Sequence, residues 1–296
     1  MQVYEIVMNQ NVIKNIYFIL FSLIPLSIII GPTISLINIL LIAFFYVFQI
    51  IINKDYEFIK KPIFKILKKD SNKILKNNFY NKYVSTKIIK KNLFPKIIHS
   101  DKKNSLYVYE YFDGKQVNTL NKELIIKTAK KLKKLHTLDV DKKLITFNSQ
   151  INFYIKEIKK NKNNKILREG IKLYKKLKNN ESDNVISHND LNKSNILFNN
   201  HKICFIDYDY VSINNRFSDL ARIFSSYKFT EKDINIFLEI YGLDNSKNNF
   251  HTIKNWQLMN LYTDSIWFYF LMENGLYKQN QNYLFLTEEL IKQQMQ

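Results

Sequence analysis

Glycine, cysteine and acidic residues are the scarce components of this chain. Only five glycines occur in 296 residues, and none lies between Gly31 and Gly114. That gap excludes a glycine-rich loop cradling phosphates anywhere in the intervening stretch. A single cysteine, Cys204, excludes an intrachain disulfide framework and a cysteine metal cluster. Lying in an apolar run, it reads as a small buried hydrophobe suited to a reducing compartment. Acidic residues number 26 against 45 basic ones, a formal net charge of +19. Such an excess invites a nucleic-acid reading. The lysines, however, are scattered among Asn, Ile, Tyr and Phe as a general bias, so no nucleic-acid partner is expected. Basic residues serve equally well beside a nucleotide or an anionic lipid.

Charge is also missing from Ile13 to Ile52, where Lys14 is the only charged residue before Lys54. About 20 apolar residues cross a bilayer as a helix, and Gly31-Pro32 breaks the run near its middle. The pattern predicts a transmembrane hairpin with helices over about 16–30 and 33–52 inside a membrane segment 1–53. One long helix kinked near Pro32 is the competing account. The stretch FSLIPLSIIIGPTISLINILLI is similar to the opening membrane segment of O-antigen polymerase and ligase proteins. Lysines crowd directly behind it (Lys60, Lys61, Lys65, Lys68, Lys69, Lys73 and Lys76), and positive flanks mark the cytoplasmic side. Residues 54–79 therefore read as a basic linker. The expected location is the inner membrane, with a lipid bilayer as partner and the remainder of the chain in the cytoplasm.

Chemistry concentrates in VISHNDLNKSNILFNNHKICFIDYDYVSINNRFSDLA, residues 185–221. Ile196 to Phe198 and Ile203 to Ile206 read as strands joined by a polar turn. His188, Asp190 and Asn195 stand in the spacing H-x-D-x-x-x-x-N before this hairpin, and Asp207 follows its second strand. That layout suits phosphoryl transfer: one Asp takes a hydroxyl proton, while an Asn and a second Asp offer hard oxygens to Mg²⁺ on the phosphates of ATP. Each motif alone is often only a cap or a turn. Their order and separation on one hairpin favour the functional account.

SHNDLNKSNILF resembles the catalytic loop of the aminoglycoside phosphotransferase and choline kinase superfamily, and FIDYDYVSINNRFSDLA resembles its choline/ethanolamine kinase branch. The resemblance implies an α+β, protein-kinase-like fold with a truncated N-terminal lobe and a mostly helical C-terminal lobe. A small-lobe remnant would occupy 80–113 and the large lobe 114–296. It further implies Asp190 as catalytic base, His188 as orienter of the loop, Asn195 and Asp207 as metal ligands, and Tyr210, Asp209 and Asp219 at the substrate pocket. Glu110, Tyr111 and Phe112 would form the hinge that bonds the adenine of ATP. In relatives a W-x-x-W helix encloses a quaternary ammonium, and here the pair is Trp267 and Phe270.

The sequence departs from that pattern in the small lobe. No Gly-rich loop precedes the hinge, Asn81 stands where relatives carry a helix Glu, and Ser226 stands where relatives often carry a Glu. The expected activity is ATP- and Mg²⁺-dependent phosphorylation of choline or a similar small amino alcohol. The alternatives are another small-molecule kinase of the superfamily and a membrane-anchored pseudokinase.

Overall fold

The computed structural model describes residues 63–66, 82–101, 106–140, 144–159, 164–177, 183–199, 202–275 and 287–292, with 37, 39–42 and 44 from the first stretch. The chain divides into two units, Met1–Pro62 and Ile63–Gln296. In the first unit the described residues are helical. The two expected membrane spans and the segment likened to O-antigen polymerases otherwise lie outside the described residues. Among the described residues no helix is long and apolar enough to cross a membrane.

The second unit opens with a small lobe. Strand β1 (Ile63–Ile66) pairs with β3 (Leu106–Tyr109), which pairs in turn with β2 (Ile97–Asp101), all antiparallel, in the order β1-β3-β2. Helix α1 (Lys82–Lys90) precedes β2. Strand β1 falls inside the stretch expected to be a basic linker, so the small lobe begins by Ile63 rather than near residue 80. Lysines bracketing Ile63, Phe64 and Ile66 mask a short strand as solvated linker.

The large lobe is helical around two antiparallel strand pairs. Helix α2 (Lys122–His136) starts where the Asn121 side chain accepts the Leu124 N–H, and it buries Ile125, Ala129, Leu132 and Leu135 while turning its lysines outward. Helices α3 (Phe147–Glu157) and α4 (Lys165–Leu177) follow. Strand β4 (Asn184–Ser187) pairs with β7 (Ser212–Asn215), and β5 (Ile196–Phe198) pairs with β6 (Ile203–Phe205). The second pair is the hairpin read from sequence, with Asn199 and Lys202 exchanging backbone bonds across its turn. Cys204 is buried on β6, and burial pushes its thiol up to about 11.

Helix α5 (Arg216–Tyr227) is capped by the Asn215 side chain. Helix α6 (Glu231–Tyr241) carries a capping box of Thr230 and Asp233 and stops at Gly242, whose φ of +97° suits glycine. Helix α7 (Lys247–Glu273) runs 27 residues and packs on α5, α4 and α3. At Gly170 of α4 an added Cβ would lie 3.0 Å from the Tyr262 ring of α7, so a glycine lets the two helices approach. The core runs through these helices and both strand pairs, from Leu132 and Ile151 to Phe205, Leu220, Phe237 and Trp256.

Candidate active site

The loop from His188 to Asn195 is held from below by one carboxylate. Asp219, fully buried on α5, accepts the backbone N–H of His188 at 2.8 Å through one oxygen and that of Asn189 at 2.8 Å through the other. His136 of α2 meets the same carboxylate at 3.0 Å and bonds the Tyr241 hydroxyl at 2.7 Å through its other ring nitrogen. Asn189 sits at φ +66° and ties the loop to β7: its amide donates to the Tyr210 carbonyl and Ser212 Oγ, both at 2.8 Å, and accepts from Asn214 at 2.7 Å. Asp219 is thus a positioning residue, not the pocket residue expected from the sequence. Its carboxylate is consumed by the loop and by His136.

His188 is likewise sealed off. Its Nε2 lies 2.9 Å from the Ile206 carbonyl, and its ring packs 4.3 Å from that of Tyr208. With no solvent exposure, its ring is placed to brace the loop against Ile206 rather than to meet a ligand.

Asp190 follows with its carboxylate fixed from two sides, accepting from Asn192 at 2.9 Å and from Asn195 at 2.8 Å. The Asn195 amide also donates to the Asp190 carbonyl at 2.8 Å, and the Asn195 carbonyl accepts the Ile206 N–H at 3.0 Å. Burial raises the Asp190 pKa above the ordinary carboxylate value, and the positive charge of Arg222 is the main influence pulling it back. One residue beyond Ile206, Asp207 is exposed in the left-handed region at φ +61°, an uncommon conformation for a residue with a side chain.

Asn195 and Asp207 therefore flank the open end of the hairpin, where Ile196 pairs with Phe205, with hard oxygens to offer. Because the Asn195 Nδ2 is bound to Asp190, its Oδ1, which accepts from Ser194 Oγ at 3.5 Å, is the atom that would face a cation, which fits Mg²⁺. Among the described residues no group of three or more His, Cys, Asp or Glu forms a metal site. A cation at Asn195 and Asp207 then needs further oxygens from a phosphate-bearing co-substrate.

Asp190 opens into a cavity of about 290 Å³ walled by Tyr154, Tyr210, Trp267 and Phe268. Tyr210 meets Trp267 edge-on at 5.6 Å, and Tyr154 lies 5.0 Å from the same indole. Phe270 is not a second wall. It is 1% exposed, stacks on Trp267 at 5.5 Å and packs on Phe153 and Tyr154, so it backs the indole from within the core. Asp209 is half-buried on the turn between Asp207 and Tyr210 and is not among the lining residues.

Sequence reasoning missed an ion pair and two walls of this cavity. Arg222 of α5 holds Asp264 of α7 with two bonds of 2.6 and 2.8 Å, and both residues face the cavity. Asp264 precedes Trp267 by three residues, a spacing that places both on one helix face and was available to find it. Tyr154 and Gln150 come from α3, a helix in which no chemistry was read.

At the expected hinge, the Glu110 N–H donates to the Lys96 carbonyl at 2.9 Å and the Gly114 N–H to the Phe112 carbonyl at 2.8 Å. Those two engaged groups are not adenine partners. Tyr111 between them is 39% exposed.

A kinase-like small lobe joined to a helical large lobe, with an Asp-Asn loop before a hairpin that ends in a second Asp, defines a phosphotransferase of the protein-kinase type. The chain belongs to the phosphotransferase enzyme family, whose family model matches residues 86–254. Its fold is similar to that of choline kinase LicA from Streptococcus pneumoniae, at TM-score 0.65 and 21% identity over 79% of this chain and 86% of that one. A choline/ethanolamine kinase family protein from Mesorhizobium loti gives TM-score 0.63 at 16% identity, covering 79% and 82%. Aminoglycoside phosphotransferase APH(2'')-Ib gives 0.53 at 16% identity, covering 79% and 86%. In sequence, an uncharacterized protein of Metamycoplasma hominis is 31% identical over 174 residues, which is 56% of this chain. The match spans only 34% of that protein's length.

Proposed function

We propose that this chain is an ATP- and Mg²⁺-dependent kinase for the hydroxyl of choline or a similar small amino alcohol. The observation that carries the reading is the single cavity uniting the Asp190 carboxylate with the Tyr154, Tyr210 and Trp267 rings. A quaternary ammonium has no N–H to donate, so aromatic faces are its natural wall, with the hydroxyl two carbons away directed at Asp190. Asp190 accepts the hydroxyl proton as that oxygen bonds the γ-phosphorus and the bond to the departing ADP oxygen breaks. Asn195 and Asp207 would hold the cation, whose charge would neutralise the phosphates. An ATP role is supported by the fold shared with LicA, which has been solved with AMP.

An aminoglycoside is the weaker candidate. Polycationic substrates call for unpaired acidic walls, whereas Asp264 in this cavity is already neutralised by Arg222. A coupled ADP-release assay across choline, ethanolamine and aminoglycosides decides between them. Choline is expected to give saturable turnover, and Trp267→Ala to raise its KM about 30-fold, equivalent to about 2 kcal/mol of desolvated cation–π attraction. Preference for an aminoglycoside, or an unchanged KM in the variant, would remove choline from the proposal. No turnover with any of the three would favour a pseudokinase.

The apolar stretch 13–52 is proposed as a membrane anchor that leaves the kinase unit on the cytoplasmic side. The support is its length and the lysines that follow it. The full chain is expected to stay with membranes through a carbonate wash, and a chain starting at Lys54 to be released. Retention of the shortened chain would count against the anchor.

A further inference from the structure

A second and larger cavity, of about 770 Å³, lies away from Asp190, between the end of α1, strand β6 and the outward face of α2. Six lysines line it: Lys96, Lys127, Lys130, Lys131, Lys134 and Lys202. Among the described residues Glu110 is the only acidic one in its walls. Lys127 is paired with Glu123 at 2.5 Å, which leaves five other lysines lining one concavity.

Lysine is abundant throughout this chain, so number alone signifies little. Concavity and Lys131 set this cluster apart. Lys131 is half-buried, and its ammonium donates to the Asn92 carbonyl. Among the described residues no carboxylate forms an ion pair with it, although buried charges are ordinarily paired. Burial lowers its pKa to about 8, so near neutral pH it still carries its charge. A partly desolvated cation without a counter-charge, facing a cavity rimmed by four more cations, is a site built for an anion.

Geometry narrows the class. Lys130, Lys131 and Lys134 recur at helical spacing along one face of α2, while Lys96 reaches the same cavity from the segment before β2 and Lys202 from the β5–β6 turn. Cations contributed by three separate elements suit linked or paired phosphates better than one phosphate. Ammonium groups recognise phosphate as point charges. Phe94 and Phe112 add aromatic surface for an apolar portion of the ligand. A flat bilayer would reach only the rim of such a hollow.

We propose that this groove is an accessory binding site for a soluble anion carrying two or more phosphate groups. It joins residues of α1, the hinge and α2, and it is independent of the phosphotransferase reading.

The test is titration calorimetry of the full chain with inorganic tripolyphosphate. EDTA is included so that no Mg²⁺ recruits the probe to Asn195 and Asp207. Saturable binding is expected, weakened about tenfold or more by Lys131→Gln with Lys134→Gln, as the loss of charge-assisted bonds requires. Lys130→Gln with Lys134→Gln, both exposed, should weaken it similarly without bearing on folding. As a control, Lys172→Gln with Lys176→Gln on the exposed face of α4 removes the same charge and should change affinity less than about twofold. Equal weakening in the control pair would overturn the proposal in favour of nonspecific attraction, and absence of saturable binding would overturn it outright. Phosphatidylglycerol vesicles form the other arm. Binding to them that depends on Lys131 and Lys134, without tripolyphosphate binding, would replace the soluble ligand by a lipid surface.

Discussion

Replacing Asp190 by Asn should lower kcat by about 10²- to 10⁴-fold, the range a positioned general base contributes, while the protein stays folded. The Asn fills the same volume, but it cannot take the hydroxyl proton. One of its two carboxylate contacts survives in the variant: the side-chain oxygen still accepts from Asn192 or from Asn195, whose amide keeps its bond to the residue 190 carbonyl. Stability should move the other way. Burial raises the Asp190 pKa in the folded state, so proton binding favours the fold. That contribution is fully present below the unfolded value of about 3.9 and is lost as pH rises through the folded one. Ionising the buried carboxylate therefore costs the wild type stability, a cost that Asn removes. A denaturant midpoint at or above that of the wild type, together with the collapsed kcat, is the expected pair of results. A kcat within a few-fold of wild type would sink the general-base assignment, and a much lower midpoint would make the activity loss structural.

The same residue illustrates what could be read from the chain before its structure. Asp190 and Asn195 were legible because the H-x-D-x-x-x-x-N spacing precedes two short β-branched runs, and local spacing suffices to place a loop on a hairpin. The capping box of α6 and the apolar face of α2 were legible for the same reason. What escaped depends on contacts between elements distant in sequence. Tyr154 becomes a wall only because α3 packs against α7, and Arg222 finds Asp264 across 42 residues. Phe270 shares a helix turn with Trp267, yet Phe153 and Tyr154 enclose it, so one member of the aromatic pair faces the cavity and the other the core. Asp209 and Asp219 were placed at the pocket by resemblance. A carboxylate near a motif does not declare whether it meets ligand or backbone, and at Asp219 the backbone has both oxygens.

Asp219→Ala is the substitution for which the largest loss of stability is expected. It strips the acceptor from the His188 and Asn189 N–H groups and from His136 Nε2, all in a region closed to water. Removing one partner from a buried charged network costs about 3–5 kcal/mol, a large fraction of the stability of an ordinary domain. Activity should fall with it even where the protein is held folded, because the loop carrying Asp190 loses its lower anchor. The dependence on pH follows the opposite sign from Asp190. Burial pushes the Asp219 pKa up, but the bond and charge of His136, the charge of His188 and the His188 N–H outweigh it and hold the carboxyl below its ordinary value. Its stabilisation is therefore present above an unfolded value of about 3.9 and disappears as pH falls through the lower folded one. Denaturant midpoints of wild type and Asp219→Ala should differ widely from pH 5 to 7 and converge below about pH 4. His136→Phe separates the two functions of the carboxylate, since it removes the side-chain partner and leaves both loop bonds in place. That variant should lose stability while keeping most of its kcat. A midpoint for Asp219→Ala equal to that of wild type at pH 7 would mean that the loop does not depend on this carboxylate.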